Sequence, residues 1–329
     1  MNRNVIAVIL ILQLTLCFIF IYYNSIVVLF TMLTNKLNGV DHMTKQISQA
    51  AIIGCSDGTS QDSDEIIILQ DFLQERFMIS SWIYPTLYCT SLGETQSPQM
   101  RAQMLYEAFL DEKMDAVFDV SGGDAVNGIL SLVDFSVLRK FQKPYFGYSD
   151  NSVLLNPLRQ ISRLPVYYFQ PRFLPQSTIA QDYFAAVFEN HPETNVPRKY
   201  TFLQGDVLTG EIVGGNIRCT LKLIGTPWQP NFNEKVLLLE SNSGNLSRIE
   251  TMLWQYKHIG AFSQCSGVLL GNFTEIAQNG QMLQLYMLVQ QIIDNPDLPI
   301  VHTKEIGHQI DSLCLPFHIP ICLCRDIHI

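Results

Sequence analysis

Apolar residues recur along this chain in two rhythms, and one region is apolar without any rhythm. From Val5 to Leu33 the sequence is almost wholly apolar and carries no charged residue. That exceeds the roughly 20 residues an α-helix needs to cross a bilayer, and the apolar core of about 7–15 residues found in a cleavable signal. It predicts an apolar N-terminal helix over residues 1–35 acting as a membrane anchor. Translation starting at Met43 would instead give a cytoplasmic protein. Arg3 on one side and Lys36 and Lys45 on the other give the positive-inside rule little to decide on.

After a polar link over residues 36–49 the rhythm becomes that of a folded body. Ala50-Ala-Ile-Ile-Gly54 is a short apolar run ending in turn residues, so it predicts a buried strand. Ile66, Leu69, Leu73 and Phe77 recur at helical spacing behind Ser63, with Asp64 and Glu65 in the first turn, where negative charge is favoured. Ser97-Pro98 supplies a cap and a first helical residue for a second helix running to about Glu112. Ala116–Val120 and Pro144–Tyr148 follow as strands, with a helix near Asn127–Val133 between them. Alternating strand and helix implies a parallel sheet covered on its faces.

Residues 166–205 are rich in Pro, Tyr and Phe and predict a connection and one wall of a cleft. Beyond it Val236–Glu240, Gly267–Gly271 and Leu298–Val301 are expected as strands, with helices at Ser247–Tyr256 and Gln281–Ile293. The expected fold is α/β: an N-terminal parallel-sheet domain over 50–165 and a C-terminal mixed α/β domain over 206–329, preceded by the apolar helix.

Composition narrows the function. With 30 acidic against 21 basic residues and a net charge of -9, no basic run is available to follow a phosphate backbone, so nucleic acid is excluded as a partner. The 47% hydrophobic content suffices for a sizeable core in 329 residues. The eight cysteines form no paired zinc-ligand spacing and are expected mainly as buried thiols, while Cys322-Leu-Cys324 lacks two further ligands and is expected as a hydrophobic strand end.

Four places carry candidate chemistry. Ser149, in Phe146-Gly-Tyr-Ser-Asp150, follows a strand, where a sharp turn would lift its Oγ clear of the sheet; an N-cap would look the same. Gly122-Gly123 also ends a strand, and the backbone N–H groups of Gly123 and Asp150 are candidates for an oxyanion hole, with a plain tight turn as the alternative. Glu240 terminates an apolar strand, where a carboxylate needs either solvent or a partner. His308, in Glu305-Ile-Gly-His308, is one of seven histidines, and spacing alone does not select it.

Taken in order, Asp119-Val-Ser-Gly-Gly-Asp124, Phe146-Gly-Tyr-Ser-Asp150, Val213-Gly-Gly-Asn216 with Leu223-Ile-Gly-Thr-Pro-Trp228, Leu237-Leu-Leu-Glu240, Gly267-Val-Leu-Leu-Gly-Asn-Phe273 and Glu305-Ile-Gly-His308 resemble the LD-carboxypeptidase family, which includes microcin C self-immunity peptidases. The resemblance implies Ser149 as nucleophile, Glu240 as the acid orienting the histidine and His308 as base. It implies two domains with the cleft between them, and no metal or organic cofactor. The implied substrate is a peptidoglycan-derived tetrapeptide losing its terminal D-alanine at an L,D bond, and a homodimer is compatible with this reading. The chain departs from the family in its apolar N-terminus and in Gln309–Leu315, which implies an altered or truncated last strand. Two alternatives remain. A peptidyl-nucleotide immunity enzyme would need an aromatic wall, for which Tyr167, Tyr168, Phe169 and Trp228 are candidates. A membrane-tethered protein could instead bind muropeptides without cleaving them.

Overall fold

The computed structural model describes residues 47–60, 64–188 and 191–325. The expected apolar helix, nearly all of the 36–49 link and the Ser63 cap lie outside them. Among the described residues no helix is long and apolar enough to cross a membrane.

The first sheet has the strand order β12-β5-β4-β3-β1-β2, with β1 Gln49–Ile53, β2 Ser80–Ile83, β3 Ala116–Asp119, β4 Tyr145–Gly147, β5 Val166–Tyr168 and β12 Leu315–Pro316. All its pairings are parallel except that of β12 with β5. Ala50–Ile53 and the whole of β3 are buried, because helices cover both faces of a parallel sheet and leave no position for a polar alternate. Helix α1 (Glu65–Phe77) buries Ile66, Leu69 and Leu73 of the predicted stripe and leaves Phe77 half-buried at its end. Helix α2 (Pro98–Leu110) begins as its sequence dictates, with Ser97 Oγ accepting the Met100 amide at 3.2 Å. The segment expected as a helix near Asn127–Val133 is a 3-10 helix, Val126–Leu132, closed by i to i+3 bonds such as Gly128 N to Ala125 O. A seven-residue stretch with a glycine inside it is a poor α-helix nucleus.

Sheet membership crosses the boundaries drawn from sequence. Within 166–205, β5 belongs to the first sheet, helix α4 (Thr178–Phe188) follows it, and β6 (Tyr200–Gln204) opens the second sheet; α3 (Ser152–Gln160) precedes them. The chain beyond His308 is likewise structured: β12 returns to the first sheet and β13 (Ile321–Cys324) pairs antiparallel with β7 (Val207–Gly210).

The second sheet runs β6-β11-β10-β9-β8, with β8 Ile212–Asn216, β9 Val236–Ser241, β10 Gly267–Phe273 and β11 Ile300–Thr303. It is parallel except for β6, which makes it mixed as expected. Its strands show the two-residue period of a sheet with both faces buried. Val236, Leu238, Leu269 and Val301 join the core of the first sheet, while Leu237, Leu239, Val268, Leu270 and Ile300 form a second core. Buried residues of α6 (Leu246–His258) and α7 (Met282–Ile293) complete that second core. One face of the second sheet is thus continuous with the core beneath the first. Glu240, near the end of β9, is thereby fixed relative to the turn that follows β4.

Candidate active site

The chain leaves β4 at Gly147 and turns sharply. Ser149 adopts φ +56°, the left-handed region that a residue with a Cβ enters only under constraint. Its amide donates to the Tyr168 hydroxyl at 3.1 Å, and its carbonyl accepts from Ser152 Oγ at 2.7 Å. These bonds hold the turn so that Oγ stands 3.0 Å from Nε2 of His308.

His308 reaches that point from the loop after β11. The loop passes close over β10, which requires Gly271: a Cβ there would lie 2.7 Å from Ile306 O and 2.8 Å from Glu240 Cβ. The other ring nitrogen, Nδ1, lies 2.8 Å from Glu240 Oε2, and the ring packs against Tyr148 with centroids 4.9 Å apart. Glu240 is wholly buried, which a carboxylate tolerates only when its lone pairs are filled. They are: Oε1 accepts from the Tyr168 hydroxyl at 2.7 Å and from Asn216 Nδ2 at 2.9 Å, while Oε2 faces His308. The structure therefore brings the three predicted residues into one hydrogen-bonded line.

Of the two predicted oxyanion residues, Asp150 directly follows Ser149 in the turn, and Gly123 lies in the loop after β3. Asp150 is fully buried; its Oδ2 accepts from Ser56 Oγ at 2.7 Å and from Val126 N at 3.0 Å, and its Oδ1 lies 2.6 Å from Lys222 Nζ. Burial pulls the Lys222 ammonium down, but the hydrogen bond to Asp150 and its charge outweigh this and hold the pKa above that of an ordinary lysine. Asp124, exposed, pairs with both Arg218 and Lys222, and these bonds outweigh its partial desolvation to hold its carboxyl below the usual range. Gly123 has φ +129°, and Asp57 Oδ2 occupies the place a Cβ would take, 1.9 Å from it. Asp57 also accepts the Asp124 amide at 3.2 Å, so the loops after β1 and β3 are tied together at this point.

Beneath the turn lies a buried network that the sequence did not signal. Asp119 accepts from the amides of Cys55 and Ser121 and from Ser121 Oγ, and the Tyr145 hydroxyl lies 2.9 Å from its Oδ2. Burial pushes its carboxyl up even so. Tyr168 and Asn216 join the site without being among the residues expected there. The sequence offers Tyr168 only as an aromatic wall, yet a tyrosine closing a buried strand needs a partner for its hydroxyl, and that is the signal it carries. The other aromatic candidates are mostly core: Tyr167 stacks on Phe146 at 4.6 Å and Phe169 on Phe184 at 5.8 Å, leaving Trp228 half-buried.

The cysteines divide as expected between buried thiols and a strand end, β13, although the thiols of that strand face outward. Cys55, Cys219, Cys265 and Cys314 are buried, but Cys322 and Cys324 are exposed, because β13 lies at the periphery in a two-stranded ribbon. Among the described residues no group of three or more His, Cys, Asp or Glu side chains is placed to hold a metal ion.

Comparison with known proteins agrees with this architecture. Residues 50–169 match the LD-carboxypeptidase N-terminal domain and residues 209–323 the LD-carboxypeptidase C-terminal domain. A probable murein peptide carboxypeptidase of Bacillus subtilis is 26% identical over 64% of this chain and 69% of its own length. Among solved structures, the microcin C7 self-immunity protein MccF in complex with aspartyl sulfamoyl adenosine superposes with a TM-score of 0.73 at 17% identity, covering 85% of this chain and 94% of that one. A muramoyltetrapeptide carboxypeptidase from Oxalobacter formigenes gives 0.68 at 21% identity, covering 84% and 95%.

Proposed function

Since this chain belongs to the LD-carboxypeptidase family, whose serine-type hydrolases supply its reaction class, we propose that it cleaves the L,D-peptide bond of murein tetrapeptides and releases the terminal D-alanine. The observation that carries the reading is the unbroken line from Ser149 Oγ through the His308 ring to Glu240. His308 Nε2 takes the hydroxyl proton as Oγ bonds to the scissile carbonyl carbon. Glu240 accepts Nδ1–H, which fixes the tautomer and stabilises the imidazolium. The N–H groups of Gly123 and Asp150 receive the oxyanion. As the tetrahedral intermediate collapses, the C–N bond breaks and the Nε2 proton passes to the leaving amine. Water, deprotonated by the same histidine, then hydrolyses the acyl-serine.

A fluorophosphonate probe tests the nucleophile directly. The wild-type protein should be labelled at Ser149, and Ser149→Ala and His308→Ala should not. Equal labelling of Ser149→Ala would place the reactive group elsewhere.

A peptidyl-nucleotide substrate is the second reading, since the structural neighbour above was solved with aspartyl sulfamoyl adenosine. With Tyr167, Tyr168 and Phe169 in the packing, base stacking would fall to Trp228. Turnover of an aminoacyl sulfamoyl nucleoside that is lost in Trp228→Ala, while tetrapeptide cleavage persists, would favour it.

The apolar stretch Val5–Leu33 supports a further proposal, that one N-terminal helix anchors the protein to a membrane. Fractionation of cells expressing the full chain and a form starting at Met43 should place the first with membranes and the second in the soluble fraction.

A further inference from the structure

We propose that Tyr168 is a positioning residue that ties the backbone of the nucleophile turn to the acid of the triad, and so sets both the placement of Ser149 and the strength with which Glu240 holds His308. The proposal rests on the reading of those three residues given above.

Tyr168 closes β5 and is fully buried. Its ring is held from several sides: it stacks on Phe317 at 6.1 Å with planes 6° apart, and meets Tyr148 edge-on at 6.4 Å. Gly215 passes so close that a Cβ there would lie 3.1 Å from Tyr168 Cε2. The hydroxyl has one proton and two neighbours, and their chemistry fixes its direction. Glu240 Oε1 accepts, at 2.7 Å, and the Ser149 amide donates, at 3.1 Å. Burial, and after it the charge of Glu240, push the phenol well above its ordinary range, so it remains a donor wherever the enzyme works.

Two consequences follow. The Ser149 N–H, in a left-handed turn, has the Tyr168 oxygen as its acceptor, and removing that oxygen removes a bond that holds the strained φ. The Glu240 charge is also shared among three donors, Tyr168, Asn216 and His308. Withdrawing the Tyr168 donor leaves more charge facing the imidazole, which favours its protonated form. Among the described residues, the other charged and titratable groups around this point are Cys219 of α5 (Ile217–Leu221), on which Asp150, Lys222 and Arg218 act, and Tyr148 of the nucleophile turn, on which Arg172 acts. None of them replaces the hydroxyl.

The test measures kcat and KM of the full-length protein on a murein tetrapeptide across pH, with fluorophosphonate labelling rates in parallel. Tyr168→Phe should lower kcat about 10- to 100-fold with KM changed less than about threefold, and should move the acid limb of kcat/KM to higher pH by roughly half a unit. A 3-fluorotyrosine placed at position 168 alone is a stronger donor and should move the limb the other way. It also covers the case in which the phenylalanine variant fails to fold. A limb that stays in place or moves down in Tyr168→Phe, or that does not move down with fluorotyrosine, overturns the proposal, since loss of packing alone would cut turnover without moving the limb. Ser149→Ala in the same assay separates the two readings: if it still cleaves, the triad fails irrespective of Tyr168. Should the wild type label without cleaving the peptide, the limb is read from labelling. A protein that does neither overturns both.

Discussion

The imidazole Nε2 of His308 stands 3.0 Å from Ser149 Oγ although 159 residues separate them in sequence. Neither residue's own loop explains this. Ser149 is placed by the end of β4 in the first sheet, and His308 by the loop after β11 in the second. The two meet because Val236, Leu238, Leu269 and Val301 bury one face of the second sheet in the core of the first. Local changes at the site should therefore be readable as chemistry, provided that shared core is left intact.

Gly123 is the place where that separation should fail. Its φ of +129° and the 1.9 Å approach of Asp57 Oδ2 to any Cβ mean that Gly123→Ala strains the backbone as well as crowding the proposed oxyanion site. We expect a loss of about 1–3 kcal/mol in stability together with reduced turnover. Thermal unfolding and kcat on one preparation check it. Adding Asp57→Ala should recover only part of the stability, because it removes the collision and leaves the dihedral.

Lys222 and Asp150 form a pair in which the carboxylate is fully buried and the ammonium mostly so. Lys222→Met should destabilise by about 3 kcal/mol, because it strands a buried charge, and Asp150→Asn in the same chain should recover much of that loss. Urea unfolding of the two single variants and the double variant measures the coupling. Strict additivity would show that the pair is not felt.

Acid should destabilise the fold through His302. It is buried on β11, with Nδ1 3.0 Å from the Tyr286 hydroxyl and Nε2 without a hydrogen-bond partner among the described residues. Burial, and then the charge of Lys304, depress its pKa to about 4 from the ordinary 6.5. The unfolded chain then binds a proton near pH 6.5 that the folded chain refuses until near pH 4. Stability present above 6.5 is lost as pH falls through that window, about 2 kcal/mol of it by pH 5. His302→Gln should flatten the profile between pH 7.5 and 5. A slope unchanged in the variant would mean that other groups set it.

Much of this was legible in the sequence for identifiable reasons. The Ser97-Pro98 cap, the Ile66, Leu69, Leu73 stripe and the Val236–Glu240 run are local signals, and each produced the element it predicts. What escaped depends on partners far along the chain. β5 is three residues between Pro165 and Pro171, and β12 is two residues; both are strands only because a neighbour pairs with them. The same holds for the site: Ser149, Glu240 and His308 sit in ordered motifs, whereas Tyr168 matters through a hydroxyl whose acceptor lies 72 residues away.

If the triad is one device, its members should fail together. Ser149→Ala and His308→Ala should each cost on the order of 10^4-fold or more in kcat, and the double variant scarcely more than either. Glu240→Ala should cost less in turnover, since it removes orientation and not a reacting group. It should cost more in stability, since it strands the Tyr168 hydroxyl and the Asn216 amide as buried donors. Circular dichroism with steady-state kinetics separates the two kinds of loss.

The central claim is hydrolysis at an L,D bond by Ser149, and mass analysis of a murein tetrapeptide incubated with purified protein tests it most directly. The account predicts a tripeptide and free D-alanine from the wild type, and intact tetrapeptide from a folded Ser149→Ala. Undiminished product from Ser149→Ala, or intact tetrapeptide from a wild-type protein that is folded and labelled at Ser149, would contradict it.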